Sequence, residues 1–160
     1  MPDMLVKLYE LPPLEPCLEE MRQQGIAIRP AMSYERALVM DWVRRQFGDG
    51  WAAECEASFN YQPVTCIIAV CEGQMLGFAC YEATARDFFG PTGVDPEWRG
   101  KGIGRALLMA SLHAQKSMGY GYAIIGGAGP TSFYAKACGA VVIAGSSPGI
   151  YPAGITSRGD

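Results

Sequence analysis

Histidine is nearly absent from this 160-residue chain: His113 is the only one. Six cysteines occur, Cys17, Cys55, Cys66, Cys71, Cys80 and Cys138, but no two form a C-x-x-C pair. With neither paired cysteines nor clustered histidines, no zinc-ligand spacing exists, and no metal is expected. Cys66, Cys71 and Cys80 lie in apolar runs and read as reduced core thiols. No run of 18 apolar residues occurs, so no membrane-spanning segment is expected. The N-terminus MPDMLVKLYELPP lacks a basic stretch followed by a long apolar core, and therefore does not read as a secretory signal. A cytoplasmic location is the resulting expectation. Charged residues are scarce at 18%, against 49% hydrophobic, which fits a packed domain and not a disordered chain. The length fits one domain, residues 1–160, with an N-terminal extension over 1–25 and a Gly/Pro-rich tail over 145–160.

Acidic residues almost vanish after Arg99. Residues 99–160 hold six Lys/Arg and one acid, Asp160, for a net +5, whereas residues 1–98 hold seven Lys/Arg and fifteen acids, for a net −8. The basic half suits an anionic ligand, and the acidic half suits a cationic one. A chance distribution over a solvated surface is the alternative. A chain with net charge −3 gives no reason to expect nucleic acid.

The apolar spacing and the breakers suggest an element order. Residues 4–9 form a short strand or an extended arm, and Pro12, Pro13 and Pro16 interrupt the chain. A helix follows from Cys17 to Gln24, then a strand at 26–30. Ser33 is the N-cap of a helix ending at Gly48, with Arg36 where a capping box wants Glu. A second, irregular helix covers 50–59. Val64–Cys71 and Met75–Ala83 are strands joined by a hairpin at Glu72-Gly73. Phe88–Val94 is a third strand, interrupted by Gly90-Pro91, which implies an edge, a bulge or a splayed position. A long helix spans about Gly102–Met118, then a strand at Tyr122–Ile125, a helix from Pro130 to Cys138 and a strand at Val141–Ala144. The tail from Gly145 is expected to wrap over the surface. The fold class is α/β (α+β): a mixed, mostly antiparallel sheet with helices on both faces.

The junction after Val94 carries the chemistry. It reads Val94-Asp95-Pro96-Glu97-Trp98-Arg99-Gly100-Lys101-Gly102-Ile103-Gly104-Arg105. Glycines allow close backbone approach and positive φ, and the free amides at a helix start attract anions. Arg99, Lys101 and Arg105 add cations, and pyrophosphate is the natural ligand. A P-loop is excluded because no Gly-Lys-Ser or Gly-Lys-Thr occurs. The dinucleotide pattern GxGxxG fails because Arg105 occupies its last position. R-x-x-G-x-G does fit, on Arg99, Gly102 and Gly104.

That pattern resembles the acyl-CoA loop of the GNAT N-acetyltransferase superfamily, [QR]-x-x-G-x-[GA], and the preceding V-x-P-x-x-R is typical of the same family. The chain resembles a bacterial single-domain member over residues 26–144, leaving 1–25 and the tail outside. The resemblance implies acetyl-CoA as co-substrate and direct transfer to a small primary amine in a ternary complex. Amino sugar, amino acid and polyamine remain open, as do protein N-terminal or lysine acetylation and a non-catalytic acyl-CoA sensor. It also implies a homodimer as one possible assembly. By resemblance, the pyrophosphate sits on the amides of Gly100, Lys101, Gly102, Ile103, Gly104 and Arg105, with Arg99 beside it. The Val94 N–H faces the thioester oxygen. Tyr134, in Phe133-Tyr134-Ala135-Lys136-Ala137-Cys138-Gly139, is the general acid, with a core aromatic or a pantetheine contact as the alternatives. Where the family commonly carries Asn, seven residues before that Tyr, this chain has Gly127, which is left to touch the cofactor through its backbone. No carboxylate lies centrally in Phe88–Val94, so Glu82 and Asp87 are the nearest candidates for a base or a substrate-binding acid. Trp51 and Glu54 are candidates for the acceptor site, beside Phe59, Tyr61, Phe89 and Tyr151. Glu54 and Glu56 could each bind an ammonium, with a solvated helix face the plainer reading for both, and His113 reads as a partly exposed helix position.

Overall fold

Residues on successive positions of a strand point to opposite faces, and the central strands here use both. In β3 (Cys66–Cys71), Ile67 and Ala69 enter one core while Cys66 and Ile68 enter the other. The computed structural model describes residues 1–156. The remaining elements in chain order are β1 (Met4–Lys7), α1 (Glu15–Gln23), β2 (Ala27–Pro30), α2 (Arg36–Phe47), α3 (Asp49–Ala57), β4 (Gln74–Tyr81), β5 (Phe88–Val94), α4 (Ile103–Ser117), β6 (Tyr122–Ile125), α5 (Thr131–Cys138) and β7 (Val141–Val142). The strands form one sheet in the order β2-β3-β4-β5-β6-β1-β7. Every pairing is antiparallel except β5 with β6. Helices α1, α4 and α5 pack into one core, and α2 and α3 into the other. This is the mixed, mostly antiparallel sheet with helices on both faces that the sequence suggested.

Helix α4 anchors the larger core. Leu107, Leu108 and Leu112 have no exposed surface, and each such burial contributes about 1.5–3 kcal/mol. No helix among the described residues is long and apolar enough to cross a membrane.

Four local expectations need correction. First, the N-terminal segment is no peripheral extension. Its β1 lies between β6 and β7, and Met4 and Val6 are 1% and 0% exposed. Second, Pro16 does not break the chain. It sits in the first turn of α1, where a missing N–H costs nothing. Third, Ser33 does not cap α2. Residues Ser33–Glu35 form a 3-10 turn, and the Glu35 carboxylate accepts from the Met32 N–H at 2.8 Å. Arg29 grips the same carboxylate with two bonds of 2.7 Å, holding its pKa at about 2. Fourth, the last strand is two residues long, ending at Val142 and not Ala144.

Gly90-Pro91 behaves as its sequence implied. Ala79 pairs with Thr92 and Tyr81 with Phe89, so two β5 residues oppose Cys80 in a bulge. On its other side, β5 pairs with β6 only at Phe88–Ile124 and Phe89–Ile125. Beyond that point β5 has no ladder with β6, and a gap opens toward the head of α4. The tail folds back over this end of the sheet. Ser146 accepts from the Asp3 N–H at 2.8 Å, and the Tyr151 hydroxyl lies where a side chain at Gly126 would stand. The expectation for the tail also covers residues 157–160, which lie outside the described residues.

Candidate active site

The anion cradle is built by local chain geometry. After β5, Asp95 closes a short turn: its carboxylate accepts from the Glu97 N–H at 2.9 Å, and its carbonyl from the Trp98 N–H at 2.8 Å. Gly100 (φ +79°) and Gly102 (φ +90°) then adopt left-handed backbone, which L side chains resist. This reversal presents the start of α4. The first intrahelical bond runs from the Ala106 N–H to the Gly102 carbonyl at 3.1 Å, leaving the amides of Ile103, Gly104 and Arg105 without helical partners. These amides, with Arg99 and Arg105, line a cavity of about 540 Å³ that continues along Thr92, Gly93 and Val94 to Tyr134.

The direction of the Val94 N–H follows from the ladder. The Asp95 N–H bonds to the Leu76 carbonyl at 2.8 Å, and Val94 stands opposite Gly77. Bonding direction alternates along an antiparallel strand, so the Val94 N–H turns away from β4 and into the gap beside β6. Gly93 must be glycine here, because a Cβ would collide with the Phe47 ring.

A second cavity, about 340 Å³, adjoins the first at the β5 bulge. Trp51 lines both. Its walls include Phe89, Gly90, Pro91 and Gly126 from the diverging strands, and Glu54 from α3. The Thr84 hydroxyl donates to the Glu54 carboxylate at 2.7 Å, fixing its position. Tyr151 closes one side, its phenol pKa raised by burial and then by the charges of Glu54 and Asp3. The second cavity therefore combines aromatic surface with one fixed carboxylate.

Tyr134 lines the first cavity and is 7% exposed, packed edge-on against Phe89 and Phe133. Burial, followed by the neighbouring Cys138, pushes its pKa up to about 12, so the phenol keeps its proton at neutral pH.

Some suggested residues lie elsewhere. Glu82 is 5% exposed and lines neither cavity; its two oxygens accept from the Asp87 N–H at 2.8 Å and the Tyr120 hydroxyl at 2.9 Å. Both are spent on holding the turn between β4 and β5. Asp87 stays at the same turn, with Oδ1 buried and unpartnered. Burial and then the Glu82 charge raise its pKa to about 6, but it does not reach the second cavity. Gly127 lines the second cavity, yet its N–H already donates to Asp3 Oδ1 at 2.9 Å. The Lys101 ammonium lies 5.5 Å from the Trp98 ring centre and does not line the cradle. Expected residues brought together are Arg99, Gly100, Gly102, Ile103, Gly104, Arg105, Val94, Tyr134, Trp51 and Glu54.

The sequence reading missed Phe47, Thr84, Thr92 and Met1. Phe47 and Met1 carry no signal beyond their apolarity. Asp3, an acid that the fold leaves only 6% exposed, bonds the Gly127 N–H at the second cavity that Met1 also lines.

Comparison with known proteins agrees with this geometry. Residues 62–137 match the family model for the acetyltransferase (GNAT) domain. Among solved structures, the chain is similar to the glucosamine N-acetyltransferase region of a fungal multidomain GH3 β-N-acetylglucosaminidase (14% identity, TM-score 0.73, 89% of this chain and 19% of that one). It is also similar to a GCN5-related N-acetyltransferase from Sphaerobacter thermophilus (22% identity, TM-score 0.65, 89% and 48%). A third is a functionally unknown conserved protein from Staphylococcus epidermidis (17% identity, TM-score 0.53, 89% and 57%). The chain thus spans less than two thirds of the length of each. No curated protein matches the sequence. The chain has the GNAT fold, and its residues 62–137, from the approach to β3 through α5, match the GNAT acetyltransferase domain family.

Proposed function

We propose that this protein transfers an acetyl group from acetyl-CoA to the primary amine of a small molecule, directly and without an acyl-enzyme. One observation carries the reading: the amide cradle at the head of α4 and a second cavity holding a fixed carboxylate share Trp51 as a wall, and a small third cavity is lined by residues of both, Pro91 and Gly126 from one and Thr92 and Tyr134 from the other. A diphosphate binds the first and an ammonium the second. The atoms that must react then meet near Val94 and Tyr134.

Each group has a role within this reading. Arg99 and Arg105 neutralise the diphosphate, and the α4 amides orient it. The Val94 N–H donates to the thioester oxygen as negative charge develops there. One such donor supplies roughly 2.7–4 kcal/mol of transition-state stabilisation. Glu54 draws in the cationic amine and orients it, with the rings of Trp51 and Tyr151 against its apolar parts. The ammonium gives one proton to solvent before its nitrogen attacks, and the proton then shed by the new amide nitrogen ends on the departing sulfur. Tyr134 donates a hydrogen bond to the departing sulfur. Full proton transfer from a phenol near 12 to a thiolate near 8.5 is uphill by roughly 3 pH units, so stabilising the thiolate precedes its protonation. Positioning two bound partners supplies the largest share, on the order of 7–11 kcal/mol.

The test is thiol release from acetyl-CoA across a panel of amino sugars, amino acids and polyamines. Turnover with one class, saturable in both substrates and without a ping-pong pattern, supports the reading. Tight acetyl-CoA binding with no turnover across the panel favours an acyl-CoA sensor instead.

A further inference from the structure

Three cysteines that the sequence scatters are gathered by the fold. Cys55 lies on α3, Cys66 opens β3 and Cys80 lies near the end of β4, where the register sets it directly opposite Cys66. All three have no exposed surface, and their sulfurs lie within 4.8 Å of one another. The Cys55 and Cys66 sulfurs are 3.8 Å apart. We infer that Cys55, Cys66 and Cys80 form a binding site for a soft, thiophilic cation, with copper(I) the best match.

Ligand count and spacing select the ion. Three sulfurs around a trigonal ion with bonds of about 2.3 Å stand about 4.0 Å apart, close to the spacing already present. Structural zinc needs a fourth ligand. No histidine, carboxylate or further cysteine among the described residues joins the cluster. The Ser58 hydroxyl lies 3.9 Å from the Cys80 sulfur, but it already donates to the Cys55 carbonyl. The surroundings are apolar: Val43, Phe59, Ile68 and Phe78 share this core. A dry, three-sulfur pocket suits a closed-shell ion content with three soft ligands.

On binding, metal–sulfur bonds form and the displaced thiol protons leave to solvent, so uptake strengthens as pH rises. The placement gives the ion a structural consequence. Cys55 follows Glu54 in α3, and Cys80 faces the Gly90-Pro91 bulge. A bound ion therefore pins the helix and the strands that form the second cavity.

The test is anaerobic titration of the folded, reduced protein with copper(I) against a chromogenic copper(I) chelator. One ion per chain held against the chelator, with X-ray absorption showing three sulfurs at about 2.3 Å, supports the site. Cys55→Ala, Cys66→Ala and Cys80→Ala should each weaken retention by about 100-fold, while Cys17→Ala and Cys138→Ala, in the other core, should leave it intact. Circular dichroism identifies any variant that fails to fold, and the wild-type titration stands without the variants. Loss of all copper to the chelator overturns the inference, as does copper binding that survives removal of all three cysteines. Stoichiometric retention of zinc in preference to copper overturns the choice of ion.

Discussion

The two cavities are built in opposite ways. The cradle comes mainly from one stretch of chain, Thr92 through Arg105, with Tyr134 and Phe47 added at its end. The second cavity draws Met1, Trp51, Glu54, Thr84, Gly126, Pro148 and Tyr151 from five separated segments. A contiguous site depends on backbone conformation, which a few glycines fix. A dispersed site depends on side chains that arrive only when the sheet closes. Point changes should therefore damage the first through the backbone and retune the second through chemistry.

The largest break is at Gly102. A β-branched residue there must adopt φ near +90° and press on Met21, whose Cε stands 3.3 Å from the new Cβ. Gly102→Val should weaken CoA affinity by about 100-fold or more, roughly 2.7 kcal/mol, measured by calorimetry. Next is Tyr134→Phe, at the join between the halves. It should lower kcat by about 10–100-fold with little change in CoA affinity. With the phenol near pKa 12, wild-type rates should show no decline from Tyr134 ionisation below about pH 10.

Glu54→Gln separates the halves most cleanly. It should raise KM for a cationic amine by about 10-fold while leaving CoA affinity unchanged, since its carboxylate lies only in the second cavity. Glu35 provides a control outside both halves. Its folded pKa of about 2 lies below the ordinary 4.5, so its contribution is complete above pH 4.5 and is lost as pH falls toward 2. Arg29 is 38% exposed, and solvent screening reduces the contribution to about 1 kcal/mol. Glu35→Gln should shift acid unfolding by that amount and leave both substrate affinities alone. The smallest effect belongs to Lys101→Ala, which should change CoA affinity by less than about 2-fold, because the ammonium rests on Trp98 outside the cradle.

The same contrast explains what could be read in advance. Strand–loop–helix geometry at 94–105 is written in adjacent residues, so the cradle and the direction of α4 were legible. The hairpin at Glu72-Gly73 and the bulge at Gly90-Pro91 were legible for the same reason. Trp51, Glu54 and Tyr151 could be named together from the sequence, but not Thr84, which meets Glu54 only in the folded chain. Glu82 misled because proximity along the chain says nothing of direction: with φ at +61°, it turns into the β4–β5 connection and is consumed there. The place of the N-terminal strand was the largest miss, because four residues of β propensity cannot announce a position between β6 and β7. The cysteine cluster was invisible for a related reason. Its members are 11 and 14 residues apart, and only the β3–β4 register and the seating of α3 unite them.

Calorimetric titration of coenzyme A into the wild-type protein and into folded Gly102→Val tests the central claim most directly. The account predicts a single site per chain in the wild type and loss of nearly all measurable heat in the variant. Equal binding by both proteins, or no binding by either, would contradict a diphosphate cradle at the head of α4.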